Sequence, residues 1–284
     1  MDEFGISLKE AQKFIDTRKV YVNGKPLLDK SATVEGDVEV VVFEPVSLGL
    51  NPLFEHRDFA LFDKPSGLMV HPKNRQSGYT LIDEVKSLYG MEANIAHRID
   101  KETSGLVLIS RDKKSEKRIK PLFEKRDIKK SYLALVKGRV AKELVIDEPI
   151  MKNRDFSLIK LKVYIDPRGK PSKTLVRPVV YIGGDTLVEA IPLTGRQHQI
   201  RVHLFHVKHP IVGDPVYGVD TDVSVRYLNG ELDIGERIKE TGASRLMLHA
   251  QSLSFKYLET SYKIVSALGF ERECQTLKKG FSGP

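Results

Sequence analysis

The sequence predicts an α+β protein with short strands and separate helices. From residue 54 onward, short apolar runs of strand length alternate with segments whose apolar residues have helical spacing. An Asn-Gly pair between apolar residues at 20–28 predicts a β-hairpin. Residues 147–185, which contain Pro, Gly and many charges, predict antiparallel strands with irregular connections.

Composition points to a polyanionic partner. The 284 residues include 46 Lys and Arg against 38 Asp and Glu, so the formal net charge is +8. A basic protein binds nucleic acid favourably because counterions are released, although a basic surface also occurs without such a partner. Cys274 is the only cysteine, so no intramolecular disulfide can form. This fits a reducing compartment, and we expect a monomer in the cytoplasm.

Membrane insertion and export are not predicted. No apolar run approaches the roughly 20 residues that a membrane span requires. Residues 1–5 contain acidic side chains where a signal peptide requires basic ones.

Residues 1–45 predict a small module, followed by a linker at 45–52 and a large domain at 46–284. Ser7 and Glu10 have the spacing of a capping box at the start of a helix. The hairpin follows, and then a turn at 35–37 leads into a strand at 38–43. The order resembles the later part of the S4 RNA-binding domain, which usually begins with an additional helix.

The resemblance to S4 domains implies that basic residues of this module face RNA phosphates. We expect this of Lys13 and Lys19, with Lys9 and Arg18 beside them. A solvated helix face is the alternative, because short basic runs are usually solvent-exposed.

In the large domain, the central segment is 97–105, with the sequence HRIDKETSG. The apolar run at 106–109 predicts a buried strand, so the polar residues before it predict a loop at the entrance of that strand. Asp100 lies on this loop, where functional residues tend to collect. The alternative role for Asp100 is that of a turn residue that bonds its own backbone.

Five further segments have distinctive sequences: DKPSGLMVHP at 63–72, KSY at 130–132, TGRQHQIRVHL at 194–204, GDPVYG at 213–218 and RLMLHA at 245–250. Together with 97–105 they resemble, in the same order, the motifs of the RluA-type pseudouridine synthases. The resemblance covers about residues 54–258 and departs from the usual pattern at Ile99, where Leu is usual.

This resemblance implies a mixed, mostly antiparallel central sheet with flanking helices. It also implies isomerisation of uridine to pseudouridine in RNA without a cofactor. Asp100 would be the nucleophile, attacking either ribose C1′ or uracil C6. Tyr132 would stack on the uracil and assist removal of the C5 proton. Arg201 would oppose the effect of burial on Asp100, with Arg196 as the other candidate.

The target base must be flipped out of its stack, and Arg98 is expected to fill the space. We expect further RNA contacts from basic residues in the same segments, namely His97, Lys64, Arg196 and Lys130. S4-bearing members of the family tend to modify large-subunit (23S) ribosomal RNA. That RNA is therefore favoured as substrate over transfer RNA.

Two other classes of function remain open at this point. A non-catalytic RNA-binding or ribosome-assembly protein would need the basic charge but not Asp100, Tyr132 and Arg201. A metal-dependent RNA hydrolase would need a ligand set. The four histidines between residues 198 and 209 have loose spacing, and no Cys or carboxylate completes a zinc signature. We therefore expect no metal.

Overall fold

The computed structural model describes residues 7–73, 78–152, 159 and 161–280. The chain divides into two compact units, Met1–Pro45 and Val46–Pro284. The prediction made from residues 1–5 lies outside the described residues. Within the described ranges, no helix is long and apolar enough to cross a membrane.

The smaller unit contains one helix and a three-stranded antiparallel sheet with strand order β2-β1-β3. Its elements are α1 (Leu8–Asp16), β1 (Val20–Val22), β2 (Lys25–Pro26) and β3 (Val38–Val40). Ser7 and Glu10 form the predicted capping box. Asn23 and Gly24 have φ angles of 50° and 74°, which a type I′ hairpin turn requires. The third strand is shorter than predicted.

The larger unit begins within the predicted linker. The hydroxyl of Ser47 donates to Glu84 Oε1 at 2.5 Å, and the Leu48 N–H donates to Glu84 Oε2 at 2.8 Å. Burial opposes ionisation of Glu84, but these hydrogen bonds hold its pKa below the usual value. Residues 47 and 48 of the predicted linker at 45–52 are therefore hydrogen-bonded to Glu84 of the larger unit.

Six helices are described in the larger unit: α2 (Leu81–Tyr89), α3 (Lys113–Glu124), α4 (Gln199–His206), α5 (Thr221–Asn229), α6 (Ile234–Thr241) and α7 (Phe270–Gly280). The described strands are β4 (Phe54–Glu55), β5 (Phe59–Lys64), β6 (Asn94–Ile95), β7 (Ser104–Ser110), β8 (Lys129–Val136), β9 (Leu144–Asp147), β10 (Ile150–Lys152), β11 (Val163–Ile165), β12 (Lys173–Ile182), β13 (Asp185–Pro192), β14 (Leu248–Tyr257) and β15 (Thr260–Val265). Helix α3 contains Pro121 and ends three residues later, at Glu124, which fits the helix-breaking effect of an internal proline.

The main sheet has the order β4-β5-β7-β14-β8-β13-β12-β9, with β6 beside β7 and β15 beside β14. Among the described strands, β7 and β14 pair in parallel and the other pairs are antiparallel. Strands β10 and β11 form a separate pair. The predicted α+β class with a mixed, mostly antiparallel sheet is confirmed.

The core lies on both faces of this sheet. Every residue of β7 is buried, and its residues 106–109 form a continuous apolar run instead of alternating with polar residues. One apolar cluster joins β8 and β13 to α4 and α7. A second joins β5, β7 and β14 to α3. The loop that precedes β7 is therefore attached to a strand that is buried along its whole length.

Gly105 fixes where this loop ends and the sheet begins. Its φ is 103°, a conformation that side chains disfavour. A Cβ atom at this position would lie 2.4 Å from the carbonyl oxygen of Ala250 on β14. Only glycine permits the two strands to approach this closely.

Candidate active site

Asp100 lies on the loop before β7, with 30% of its side chain exposed. The tight turn of this loop uses the backbone carbonyl of Asp100, which accepts a hydrogen bond from the Thr103 N–H at 3.1 Å. The carboxylate is therefore not consumed by the turn. His97 fixes the start of the loop to β7 and α3, because its Nε2 accepts the Leu108 N–H at 3.0 Å and its ring stacks on Phe123. These contacts make His97 a structural support and not an exposed RNA contact.

Lys64 is completely buried beneath the same loop. Its ammonium donates to the carbonyl oxygens of Pro65, Leu68 and Lys101 at 2.8 to 3.0 Å. Burial lowers the pKa of Lys64 to about 7, and the charges of Asp100 and Glu102 oppose this change. An ammonium with three carbonyl partners and no exposed surface cannot reach an RNA phosphate. The expected RNA contact of Lys64 therefore does not fit its position, which instead fixes the loop backbone.

Glu102 holds the other side of the loop. Its carboxylate accepts hydrogen bonds from Tyr227 of α5 at 2.8 Å and from Arg237 of α6 at 2.5 Å. Burial opposes ionisation, but Arg237 lowers the pKa of Glu102 below its usual value. Helices α5 and α6 thus fix the residue two positions after Asp100. The sequence analysis did not identify this role, because Glu102 lacks a local partner in the sequence.

Arg201 of α4 contacts two carboxylates. Its Nη1 lies 3.2 Å from Asp100 Oδ2. Its Nε and Nη2 each donate to one oxygen of Asp214 at 2.8 Å, which is a bidentate pair. The side chains of Arg201 and Asp214 are 5% and 0% exposed, so this pair is shielded from water.

Electrostatics fix the protonation of this pair. Burial would lower the pKa of Arg201, but the charge and hydrogen bonds of Asp214, together with the charge of Asp100, raise it. Burial would raise the pKa of Asp214, but Arg201 and the N–H groups of Val216 and Tyr217 lower it. Arg201 is therefore a permanent cation. Its Nε and Nη2 atoms are occupied by Asp214, so Arg201 makes a single contact with Asp100, through Nη1.

His198 lies immediately before α4 and faces the same carboxylate. Its Nε2 is 3.8 Å from Asp100 Oδ2, and its Nδ1 is 3.2 Å from the hydroxyl of Tyr217. Burial, together with the nearby charge of Arg201, lowers the pKa of His198 to about 4. The ring is thus neutral at pH 7. Among the described residues, no cluster of three or more His, Cys, Asp or Glu side chains could hold a metal ion.

Tyr132 lies on β8, opposite Ala250 of β14 and Ala190 of β13. Burial, with a contribution from the charge of Asp100, raises the pKa of its hydroxyl. The charge of Asp100 acts on the Tyr132 hydroxyl, so the two side chains are near each other. Tyr132 is therefore a protonated phenol at neutral pH.

The remaining basic candidates differ in position. Lys130 lies two residues before Tyr132, burial lowers its pKa, and its Nζ is close to Gly195. Arg196 is half-buried and its Nε donates to the carbonyl of Pro171 at 3.4 Å. Arg98 is exposed beside Asp100. Lys13 and Lys19 belong to the smaller unit, where Lys13 is exposed and the Lys19 Nζ lies 5.7 Å from the Phe14 ring centre.

Sequence reasoning thus named Asp100, Tyr132 and Arg201: Arg201 contacts Asp100, and the charge of Asp100 acts on Tyr132. It missed Asp214, although the segment 213–218 was noted. An acidic residue directly after a glycine in a distinctive segment was the available signal. It considered His198 only as a metal ligand.

Residues 58–206 match the model of the RNA pseudouridylate synthase family. A Helicobacter pylori J99 protein named "Uncharacterized RNA pseudouridine synthase" is 39% identical, over 94% of this chain and 89% of its own length. "Ribosomal large subunit pseudouridine synthase D" of Escherichia coli K12 is 30% identical, over 75% of this chain and 68% of its own length. The solved structure of "Human RNA Pseudouridylate Synthase Domain Containing 1" has 25% identity and a TM-score of 0.64, covering 83% of this chain and 90% of that chain.

Proposed function

The chain belongs to the RNA pseudouridylate synthase family and is an RNA pseudouridine synthase of the RluA type; we propose that its substrate is 23S ribosomal RNA and its nucleophile Asp100. The arrangement of Asp100, Arg201 and Asp214 supports this proposal most directly. It provides a partly exposed carboxylate beside a cation that is itself held in place.

The reaction is an isomerisation, so the atoms of substrate and product are the same. The N1–C1′ bond breaks and the uracil turns. A C5–C1′ bond then forms, C5 loses a proton and N1 gains one. A carboxylate suits these steps because it can attack carbon, either C1′ or C6, and then leave. Arg201 places its positive charge beside Asp100, with Nη1 at 3.2 Å from Oδ2, and so helps to orient this carboxylate.

Tyr132 and Arg98 complete the proposed site. The raised pKa of Tyr132 means that it acts as a neutral phenol, which stacks on the uracil and forms hydrogen bonds with it. The exposed Arg98 fills the space that the flipped nucleotide leaves in the RNA. Lys130 and Arg196, beside Gly195, face the backbone of the bound RNA.

Ribosomal RNA is favoured as substrate because the Escherichia coli relative is named for the ribosomal large subunit. The smaller unit is proposed to add RNA affinity through Lys13 and Lys19, as an S4-like module. We also propose a cytoplasmic monomer that requires no cofactor. Transfer RNA is the alternative substrate.

The test is a map of pseudouridines in total RNA from a strain that lacks this protein. The proposal expects one or a few sites to disappear from 23S RNA and to return with the wild-type gene but not with Asp100→Asn. Sites lost from transfer RNA would move the substrate to the alternative. Loss of none would favour a non-catalytic binding role. In vitro, activity should persist in excess chelator, and loss that zinc restores would contradict the metal-free reaction.

A further inference from the structure

We propose that His198 is a positioning residue for Asp100, presenting an Nε2–H donor to the Oδ2 atom of that carboxylate. The inference rests on the proposed role of Asp100 as nucleophile. It concerns a side chain that the sequence motifs leave without a function.

The backbone of His198 provides the first observation. Its φ and ψ are 51° and 20°, the left-handed conformation, and its side chain forms no capping hydrogen bond with α4. This conformation is unfavourable for residues with a Cβ atom, and Gly or Asn adopts it more readily. Such outliers persist where the surroundings require a particular side-chain position. The ring is only 11% exposed and points toward Asp100.

The hydrogen bonds of Tyr217 set the tautomer of His198. The Tyr217 hydroxyl accepts the Val163 N–H at 3.0 Å. Its own proton can go to His198 Nδ1, at 3.2 Å, or to the Val163 carbonyl oxygen, at 3.4 Å. The shorter contact favours Nδ1 as acceptor. The proton of the neutral ring is then on Nε2, which is the atom that faces Asp100.

Two donors from the start of α4 converge on one oxygen of the nucleophile. Arg201 Nη1 is 3.2 Å and His198 Nε2 is 3.8 Å from the same Oδ2 atom. The second distance is longer than a hydrogen bond, and catalytic contacts of this kind shorten when substrate is bound. Holding Oδ2 from two directions leaves Oδ1 free to attack carbon. Because the ring is neutral, it orients the carboxylate without adding a second cation.

Three substitutions at this position separate the possible roles. His198→Gln retains an amide N–H near the place of Nε2 but not at Nδ1. His198→Asn suits the left-handed backbone and can meet Tyr217, but its amide is too short to reach Asp100. His198→Gly removes all side-chain contacts and relieves the backbone strain.

The measurement is the single-turnover rate at saturating enzyme, on an RNA that the wild-type protein modifies. A hydrogen bond to a charged group corresponds to a roughly tenfold to hundredfold change in rate. We expect His198→Asn and His198→Gly to be slower by at least about tenfold, and His198→Gln to recover most of this loss. RNA affinity and the melting temperature should change little in all three variants. A purely structural role predicts the opposite order, with Asn and Gly close to wild type and Gln impaired, and that order would overturn the proposal.

A readout without turnover separates this inference from the proposed reaction. In the ¹⁵N NMR spectrum of the wild-type protein, His198 should show a protonated Nε2 and an unprotonated Nδ1 at pH 7. The Nε2 signal should shift in Asp100→Asn. A ring protonated on Nδ1, or rates within about threefold of wild type in all three variants, would overturn the positioning role. Absence of pseudouridine formation by the wild-type protein would instead refute the proposed substrate.

Discussion

Asp100 and Asp214 contact the same guanidinium but differ in exposure and in the number of hydrogen bonds they accept. Asp214 is fully buried, and its two oxygens accept bonds from Arg201 and from the N–H groups of Val216 and Tyr217. Asp100 is 30% exposed and has one nitrogen of Arg201 at 3.2 Å. Asp214, with four donors and no exposed side-chain surface, cannot be reached by a substrate, whereas Asp100 is exposed and keeps an oxygen available.

The backbone around each residue explains this difference. Asp214 follows Gly213, which has a φ of 80° and would place a Cβ atom 1.8 Å from the carbonyl oxygen of Arg245. That tight turn points two consecutive N–H groups back at Asp214. Asp100 lies on a loop whose turn is closed by its backbone carbonyl. Asp214 therefore fixes the orientation of the Arg201 guanidinium. This orientation places the positive charge of Arg201 beside Asp100.

The largest expected effect is the loss of activity in Asp100→Asn. An amide is nearly the same shape as a carboxylate but is a poor nucleophile, so pseudouridine formation should fall to background. RNA affinity and thermal stability should stay near wild type because the side chain is partly exposed and has few partners. Near-normal turnover in this variant would show that the nucleophile is elsewhere.

Arg201→Lys should follow, with a single-turnover rate lower by on the order of a hundredfold. Lysine has one charged nitrogen, so it cannot bond both oxygens of Asp214 and also reach Asp100. A carboxylate misplaced by about an ångström can slow a reaction by roughly this factor.

The matched control for this variant is Arg177→Lys, because Arg177 forms an exposed ion pair with Glu143. Such pairs contribute only about 0–1 kcal/mol. If the rate of Arg201→Lys lay within about threefold of wild type, the contact between Arg201 and Asp100 would contribute no more to catalysis than an exposed ion pair does. Arg196 would then be the next candidate for the arginine that acts on Asp100.

Asp214→Asn tests the structural role of Asp214 through the free energy of unfolding. Removing one partner of a buried ion pair leaves an uncompensated charge and costs about 3–5 kcal/mol. Urea denaturation should therefore show a large loss in Asp214→Asn and a small one in Asp100→Asn. Equal losses in the two variants would mean that the two aspartates do not divide their roles as described.

Asp100 and Arg201 were predicted from the sequence as site residues, but Asp214 was not. Asp100 and Arg201 lie in segments with distinctive residues, and the helical and strand periodicity around them depends only on local sequence. The partnership of Arg201 with Asp214 depends on a turn that is set by Gly213 and by the distant Arg245 backbone. No local pattern encodes that approach.

The burial of Lys64 also could not be predicted from the local sequence. A lysine before proline and glycine in a basic protein predicts an exposed cation, yet its ammonium is enclosed by three carbonyl oxygens. One of these belongs to Lys101, which is 37 residues away in the sequence. Burial of a charge is decided by tertiary contacts, so periodicity and composition cannot predict it.

Acid should destabilise the larger unit in a pH range that leaves Asp214 ionised. His249 is buried between the hydroxyls of Ser104 and Ser266, and burial, with Arg245, lowers its pKa from 6.5 to about 4. Because the unfolded chain then binds more protons between pH 6.5 and 4, stability falls as the pH is lowered through this range. The lowered pKa of Asp214 means that its contribution is lost only below its ordinary value of 3.8.

From pH 7 to pH 5, His249 should account for a loss of about 2 kcal/mol. Urea denaturation at both pH values should show a smaller difference in His249→Asn than in wild type. The exposed His206 provides the control, since His206→Asn should keep the wild-type difference. An unchanged pH difference in His249→Asn would mean that other groups cause the acid sensitivity.

The smallest expected effect is on RNA binding by the smaller unit, with the chemical step at Asp100 unchanged. If Lys13 and Lys19 contact phosphates, the double variant Lys13→Ala/Lys19→Ala should bind RNA a few-fold more weakly, with a salt dependence reduced by up to about 2 in log–log slope. The exposed pair Lys256 and Lys263, on β14 and β15, gives a control with the same change in net charge. At saturating enzyme the rate of the chemical step should equal that of wild type, since neither lysine belongs to the unit that contains Asp100 and Arg201. A salt slope equal to that of the control would mean that these lysines form only a solvated helix face, and the smaller unit would then need another role.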